Sequence, residues 1–183
     1  TRSLLDNGVR WILYSFYYIV AFGKESFIDR MQQEYPDVQW FLDSGAFTYA
    51  VQSTSGKRLP PPDQYVRRYF DYVRETGPRW VRIAEPDLDR IEGLDIPDEQ
   101  VEEWLEEMFF QFPDMPVMPT YHGWRGTDVW TRYCNDPRIK CLAIGRGTRN
   151  MGLQRRLVLE ARRAGKPVHG FAMTRFNTTL NVV

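Results

Sequence analysis

Six apolar, strand-like runs alternating with stretches of helical period constrain this chain more than any other feature. The runs are Arg10–Tyr17 (RWILYSFY), Val38–Leu42 (VQWFL), Trp80–Ala84 (WVRIA), Val117–Tyr121 (VMPTY), Cys141–Ile144 (CLAI) and Val168–Met173 (VHGFAM). Between them, Phe27, Ile28, Met31 and Tyr35 form one helical stripe. Tyr65, Val66, Tyr69, Phe70 and Val73 form a second, and Val101, Trp104, Leu105, Met108 and Phe112 a third. "TDVWTRYC" adds a shorter helix, and Leu153, Leu157 and Ala161 a last one that stops at Gly165 and Pro167. The stretch "QSTSGKRLPPPDQ" is the longest irregular piece and is expected to be mobile at Ser53–Lys57.

Such alternation predicts βα units on a parallel sheet, either a (β/α)-barrel or an open doubly wound sheet. The strand exits favour the barrel, where chemistry gathers at the C-terminal ends of several strands. Here the runs leave into Asp43-Ser44-Gly45, Glu85-Pro86-Asp87, His122-Gly123, Gly145-Arg146-Gly147 and Thr174-Arg175. An open sheet concentrates such loops near its switch point, and no G-x-G-x-x-G follows the first run. The expected fold is therefore an α/β, TIM-type (β/α)8 barrel in one domain over 1–183. About six of its eight units are present, so truncation at the C-terminus, and an incomplete N-terminus, are expected.

Composition narrows the partners. With 183 residues and 43 % apolar content the chain can bury one sizeable core. Formal net charge is zero, but charge is unevenly spread. Residues 85–114 carry twelve acids against the single base Arg90, whereas 116–183 carry twelve Arg or Lys against three acids. That asymmetry suits an anionic partner for the C-terminal half, or simply solvated helix faces. Two cysteines, Cys134 and Cys141, make neither a zinc cluster nor a disulfide framework, which fits a reduced cytoplasmic setting. The apolar run from Trp11 to Gly23, between Arg10 and Lys24, is too short to span a bilayer.

The opening residue types for chemistry are carboxylates at strand ends. Asp43 follows the second run and Asp87 the third, so on a barrel rim they would be neighbours facing one pocket. Paired acids suit glycosidic chemistry, and a carboxylate's two oxygens also match the adjacent N–H donors of a guanine-like base. Asp43 could instead cap the turn in "DSG". Phe47 offers a stacking face. Glu85 is the second choice in its loop; "EPDLD" has oxygen donors for a divalent cation but not an EF-hand pattern, and Asp89 is read as a turn residue. His122 is either a rim functional group or a satisfied hydrogen-bonding residue, and Trp124 belongs to the core or stacks. "AIGRG" permits close backbone approach at Gly145, and Arg146 and Arg149 could meet phosphate. His169, inside an apolar run, reads as structural.

In this order the pieces resemble the tRNA-guanine transglycosylase superfamily, from "WFLDSGAFT" to "VHGFAMT". "DSGAF" is similar to the family's Asp-Ser-Gly-Gly-Phe/Tyr signature. The resemblance implies a catalytic Asp43, with Ser44 and a base-stacking Phe47 beside it. "AEPDLD" lies where the family keeps a base-recognising Asp, implying Asp87 with Glu85 near. "MPTYHGW" stands where the family has a strand ending in Gln-Gly-Gly, so His122 would replace a base-contacting Gln. "LAIGRG" resembles its Gly-Gly turn, implying Gly145 and Arg146.

Ala46, Thr48, His122 and Arg146 depart from the family pattern, and with the short loops they look closer to phage and bacterial homologues that place 7-deazaguanines in DNA. The resemblance implies replacement of guanine in DNA or tRNA by a 7-deazaguanine such as preQ0, through a covalent glycosyl-enzyme, with no organic cofactor. The family's nucleophilic Asp has no candidate after Met173, and its cysteine-rich zinc site has no counterpart. A glycoside or nucleoside hydrolase using Asp43 and Asp87, and a non-catalytic barrel holding a deazapurine or nucleic acid, stand as alternatives. A homodimer is open as the assembly.

Overall fold

The computed structural model describes residues 2–91, 94–145, 148 and 150–171. The chain divides into two compact units, Thr1–Met115 and Pro116–Val183, each taken by itself below. Both are mixed α/β with parallel strands.

The first unit runs α1 (Arg2–Asp6), β1 (Trp11–Ser15), α2 (Phe16–Phe22), α3 (Glu25–Glu34), β2 (Gln39–Asp43), α4 (Ala46–Thr54) and α5 (Pro62–Thr76). A 3-10 turn at Gly77–Arg79, β3 (Arg82–Ala84) and α6 (Asp98–Gln111) complete it. β1, β2 and β3 lie side by side in chain order, all parallel, with Ser15 opposite Asp43 and Leu42 opposite Ile83. Side chains alternate across the strands. Ile12, Trp40, Leu42 and Ile83 are buried on one face. The other face carries Trp11, Leu13 and Ser15 of β1 with Gln39, Phe41 and Asp43 of β2. It is less covered: Trp11 is 63 % and Leu13 40 % exposed, and Trp11 meets the Phe41 ring edge-on at 5.7 Å. Asp43 thus ends a strand on the more open side of the sheet.

α5 forms because Pro61-Pro62 opens it, Asp63 sits in its first turn and its apolar stripe is unbroken. Tyr65, Val66, Tyr69, Phe70 and Val73 are all buried, each such aliphatic or aromatic side chain contributing about 1.5–3 kcal/mol. Val101, Trp104, Leu105 and Met108 do the same for α6.

The second unit runs β4 (Val117–Met118), β5 (Thr120–Tyr121), α7 (Thr127–Asn135), β6 (Leu142–Ile144), α8 (Met151–Arg163) and β7 (Val168–Gly170). β5, β6 and β7 are parallel and again adjacent in chain order. α7 and α8 pack through buried Trp130, whose indole N–H donates to the Leu157 carbonyl at 3.2 Å. Asn150 caps α8, accepting the Leu153 N–H at 3.0 Å.

The expected runs are found as strands, with β3 beginning at Arg82 rather than Trp80, β7 ending at Gly170 before Phe171, and further differences elsewhere. The first strand stops at Ser15 rather than Tyr17, and Phe16 begins a helix. The run Val117–Tyr121 is two strands, because Pro119 has no N–H for the ladder; its carbonyl still accepts from Ala143. Part of the "QSTSGKRLPPPDQ" stretch is helical: Ser53 and Thr54 close α4, their hydroxyls donating to the Ala50 and Val51 carbonyls. The last two residues of the sixth run, Ala172 and Met173, lie outside the described residues.

Candidate functional site

Past Asp43 the chain must leave the sheet and start α4 within three residues. Gly45 makes this possible with φ 76°, a left-handed conformation that other residues adopt at a cost. The turn is closed by its own side chains: the Gly45 N–H donates to Asp43 Oδ2 at 3.1 Å, and the Ala46 N–H donates to Ser44 Oγ at 3.4 Å. Asp43 therefore does cap the "DSG" turn. It also does more than that.

The Asp87 carboxylate lies close enough to act on Asp43. Burial first, then the Asp87 charge, push the Asp43 carboxyl up to about 6. The Ser15 hydroxyl, directly across the β1–β2 pair, and the Gly45 N–H work in the opposite sense. Ser15 Oγ is shielded from solvent and faces the carboxylate without reaching full hydrogen-bond geometry. Asp43 and Asp87 each keep a partial opening to solvent. Two carboxylates from the ends of adjacent parallel strands, one carrying a raised pKa, form a pair that can hold and pass a proton near neutral pH.

Asp87 owes its place to a tight loop. After β3, the Asp87 N–H donates to the Glu85 carbonyl and the Leu88 N–H to the Pro86 carbonyl, at 3.1 and 2.9 Å. Glu85, Leu88 and Asp89 are buried beneath it, so Glu85 belongs to the interior of this loop rather than its surface. Asp89 sits in the turn at 89–90 that leads into Ile91, as expected, with its side chain buried there.

Two further side chains complete the surroundings of the pair. The Tyr65 hydroxyl donates to the Ser44 carbonyl and the Tyr69 hydroxyl to the Ala84 carbonyl, both at 2.6 Å. Burial and the neighbouring carboxylates push both phenols above their ordinary range, Tyr65 through Asp43 and Tyr69 through Asp43 and Asp87 together. Both remain hydrogen-bond donors at every working pH. Ser44 is wholly buried with its carbonyl and hydroxyl engaged, so what it offers is the shape of the turn. Phe47 is 59 % exposed in the first turn of α4.

In the second unit, His122 and Gly145 are brought together. The His122 ring is buried and lies parallel to the Trp124 indole, with centroids 4.5 Å apart. Gly145 closes its other side: an added Cβ would fall 2.5 Å from His122 Cε1 and 2.8 Å from Nδ1. Both flanks of the imidazole are thus occupied. Buried Arg125 braces this loop, donating to the Thr120 carbonyl at 3.1 Å and the Tyr133 hydroxyl at 3.3 Å. Trp124 is half-buried and stacks on His122. His169 is half-buried, meets Phe171 edge-on at 4.7 Å, and has its pKa lowered by burial, as a structural histidine would. Arg146 and Arg149 lie outside the described residues.

Sequence reasoning named Asp43 and Asp87 but not Ser15, Tyr65 or Tyr69. The tyrosines read as members of an apolar stripe, and only their hydroxyls, wasted in a purely apolar core, signalled more. Among the described residues no group of three His, Cys, Asp or Glu is arranged to hold a metal ion, and no helix is long and apolar enough to cross a membrane. Cys134 and Cys141 are buried and not joined in a disulfide. No family model, curated protein or solved structure matches this chain.

Proposed function

We propose that the chain is a guanine-exchange transglycosylase of the (β/α)-barrel type, acting on a polynucleotide and a 7-deazaguanine. The observation that carries this reading is the placement of two carboxylates, Asp43 at the end of β2 and Asp87 in the loop after its parallel neighbour β3, near enough for one to act on the other. The barrel is supported by strand order: β1-β2-β3 and β5-β6-β7 follow the chain without the reversal that marks a doubly wound switch point.

In this reading a guanine-like ring lies against the acidic pair. Asp87 accepts hydrogen bonds from the base, and Asp43, titrating near 6, shuttles the proton as one base leaves and another enters. The exposed Phe47 ring supplies a stacking surface. By the resemblance, a further Asp supplies the attacking carboxylate, and two displacements retain configuration at the sugar. The target nucleotide must leave its stack to reach the pair. The basic residues of 116–183 supply phosphate contacts.

The test is exchange of labelled guanine into tRNA and into duplex DNA. Wild type should exchange one of them, and Asp43→Ala should lose at least about 100-fold, the scale of a general acid–base group. Undiminished exchange in the variant removes the assigned role. A second reading, hydrolysis of a nucleoside or glycoside, is favoured by the raised pKa beside a second carboxylate, the usual signature of an acid/base pair. It predicts turnover of free nucleosides with no polynucleotide present.

A further inference from the structure

We infer that Tyr65 and Tyr69 are positioning residues whose hydroxyls set the separation of the Asp43 and Asp87 carboxylates. In the β2–β3 pair, Phe41 lies opposite Arg82 and Leu42 opposite Ile83. Beyond it the two chains turn away into different loops, and their carbonyls need other partners. α5 supplies both. Tyr65 and Tyr69 stand four residues apart on one buried helix face, and each donates a 2.6 Å bond to a carbonyl near one of the two acids. Ser44 directly follows Asp43; Ala84 ends β3 three residues before Asp87.

The helix makes this interval rigid. Residues four apart in an α-helix are held about 6 Å along its axis, and the ring packing leaves the tyrosines little freedom. Phe16 contacts both rings, at 5.4 Å from Tyr65 and 5.2 Å from Tyr69, and Tyr49 packs on Tyr65 at 4.5 Å. The hydroxyl of Tyr65 also lies where a Gly45 Cβ would be, 2.7 Å away, so ring, turn and carboxylate form one packed unit. The helix thereby fixes two strand exits relative to each other, and with them the coupling between their acids.

The inference rests on the same acid pair as the proposed function, but its test does not need turnover. The groups acting on Asp43 are Asp87 beyond β3, Ser15 of β1 and the Gly45 N–H; the Tyr65 and Tyr69 hydroxyls of α5 stand beside it. The Asp43 carboxyl midpoint is read by carbon-detected NMR titration in wild type, Tyr65→Phe and Tyr69→Phe, each with and without Asp87→Asn. Phenylalanine keeps the ring and removes only the hydroxyl. In wild type, Asp87→Asn should lower the Asp43 midpoint. In Tyr69→Phe that lowering should shrink by roughly half a unit or more, because the carboxylates are free to separate. Tyr65→Phe, which acts on the Asp43 side alone, should give the same trend and serves if Tyr69→Phe does not fold. An Asp87 effect unchanged in the folded variants, even with reduced stability, overturns the inference. Absence of base exchange, with the titrations as expected, would instead count against the proposed function alone.

Discussion

Gly45 is pressed against Tyr17, so that a Cβ added to the glycine would lie 2.6 Å from the tyrosine Cβ and 2.7 Å from its backbone N. Neither atom can swing aside, because both are fixed by the start of α2. With φ 76°, Gly45→Ala incurs about 1–2 kcal/mol of left-handed strain, and overpacking adds about 1–3 kcal/mol. The expected loss is therefore roughly 3 kcal/mol, read as a lower denaturation midpoint with unchanged m. A loss below about 1 kcal/mol would mean that the turn can relax away from α2.

The raised pKa of Asp43 makes stability depend on pH in a stated direction. Its ordinary value is 3.8 and its folded value about 6. The folded state therefore holds the proton more tightly than the unfolded chain. Its stabilising effect is complete below about 3.8 and is lost as pH rises through about 6. Asp43→Asn keeps an acceptor for the Gly45 N–H and removes this titration. Urea unfolding should find the variant more stable than wild type by on the order of 2 kcal/mol at pH 7–8. The gap should close towards pH 4. Parallel stability curves across that range would show that burial and Asp87 do not act on this carboxyl.

How far these residues could be read in advance follows from what each signal depends on. Asp43 and Asp87 stood out because an acid at the end of an apolar strand, or within three residues of it, is a local pattern. The end of β1 was not, since "RWILYSFY" runs directly into "FYYIVAF" and both helix and strand are apolar there. The change occurs at Ser15, where neither periodicity marks a border. α4 hid for another reason: its buried side is Ala46, Tyr49 and Ala50, too small a stripe to stand out. The tyrosine bonds were invisible because a hydroxyl's partner lies 15 or 21 residues away and is a backbone carbonyl, which no sequence pattern identifies.

His122 and Gly145 offer a check within the second unit. Gly145→Ala places a Cβ into the imidazole and within 2.9 Å of Thr120 Cγ2, so the ring must move off Trp124. The His122 ring protons, shifted upfield by the indole face, should move downfield in the variant. In a His122→Ala background the same substitution should be better tolerated by about 1 kcal/mol or more, since contacting residues couple. Additive effects would mean that the stack does not depend on Gly145.

The exposed arginines of α8 test the polynucleotide partner without reference to catalysis. Arg155 and Arg156 are exposed in its middle, and Arg162 and Arg163 in its last turn. A phosphate contact releases a counterion, so each one lost lowers the slope of log affinity against log salt by about one. Arg155→Ala combined with Arg156→Ala should weaken binding to a labelled oligonucleotide about tenfold at moderate salt and flatten that slope. The change should be similar for different sequences, because phosphates carry no base identity. A solvated face with no such role would leave both affinity and slope where they were, and these two arginines of α8 would then have no part in holding nucleic acid.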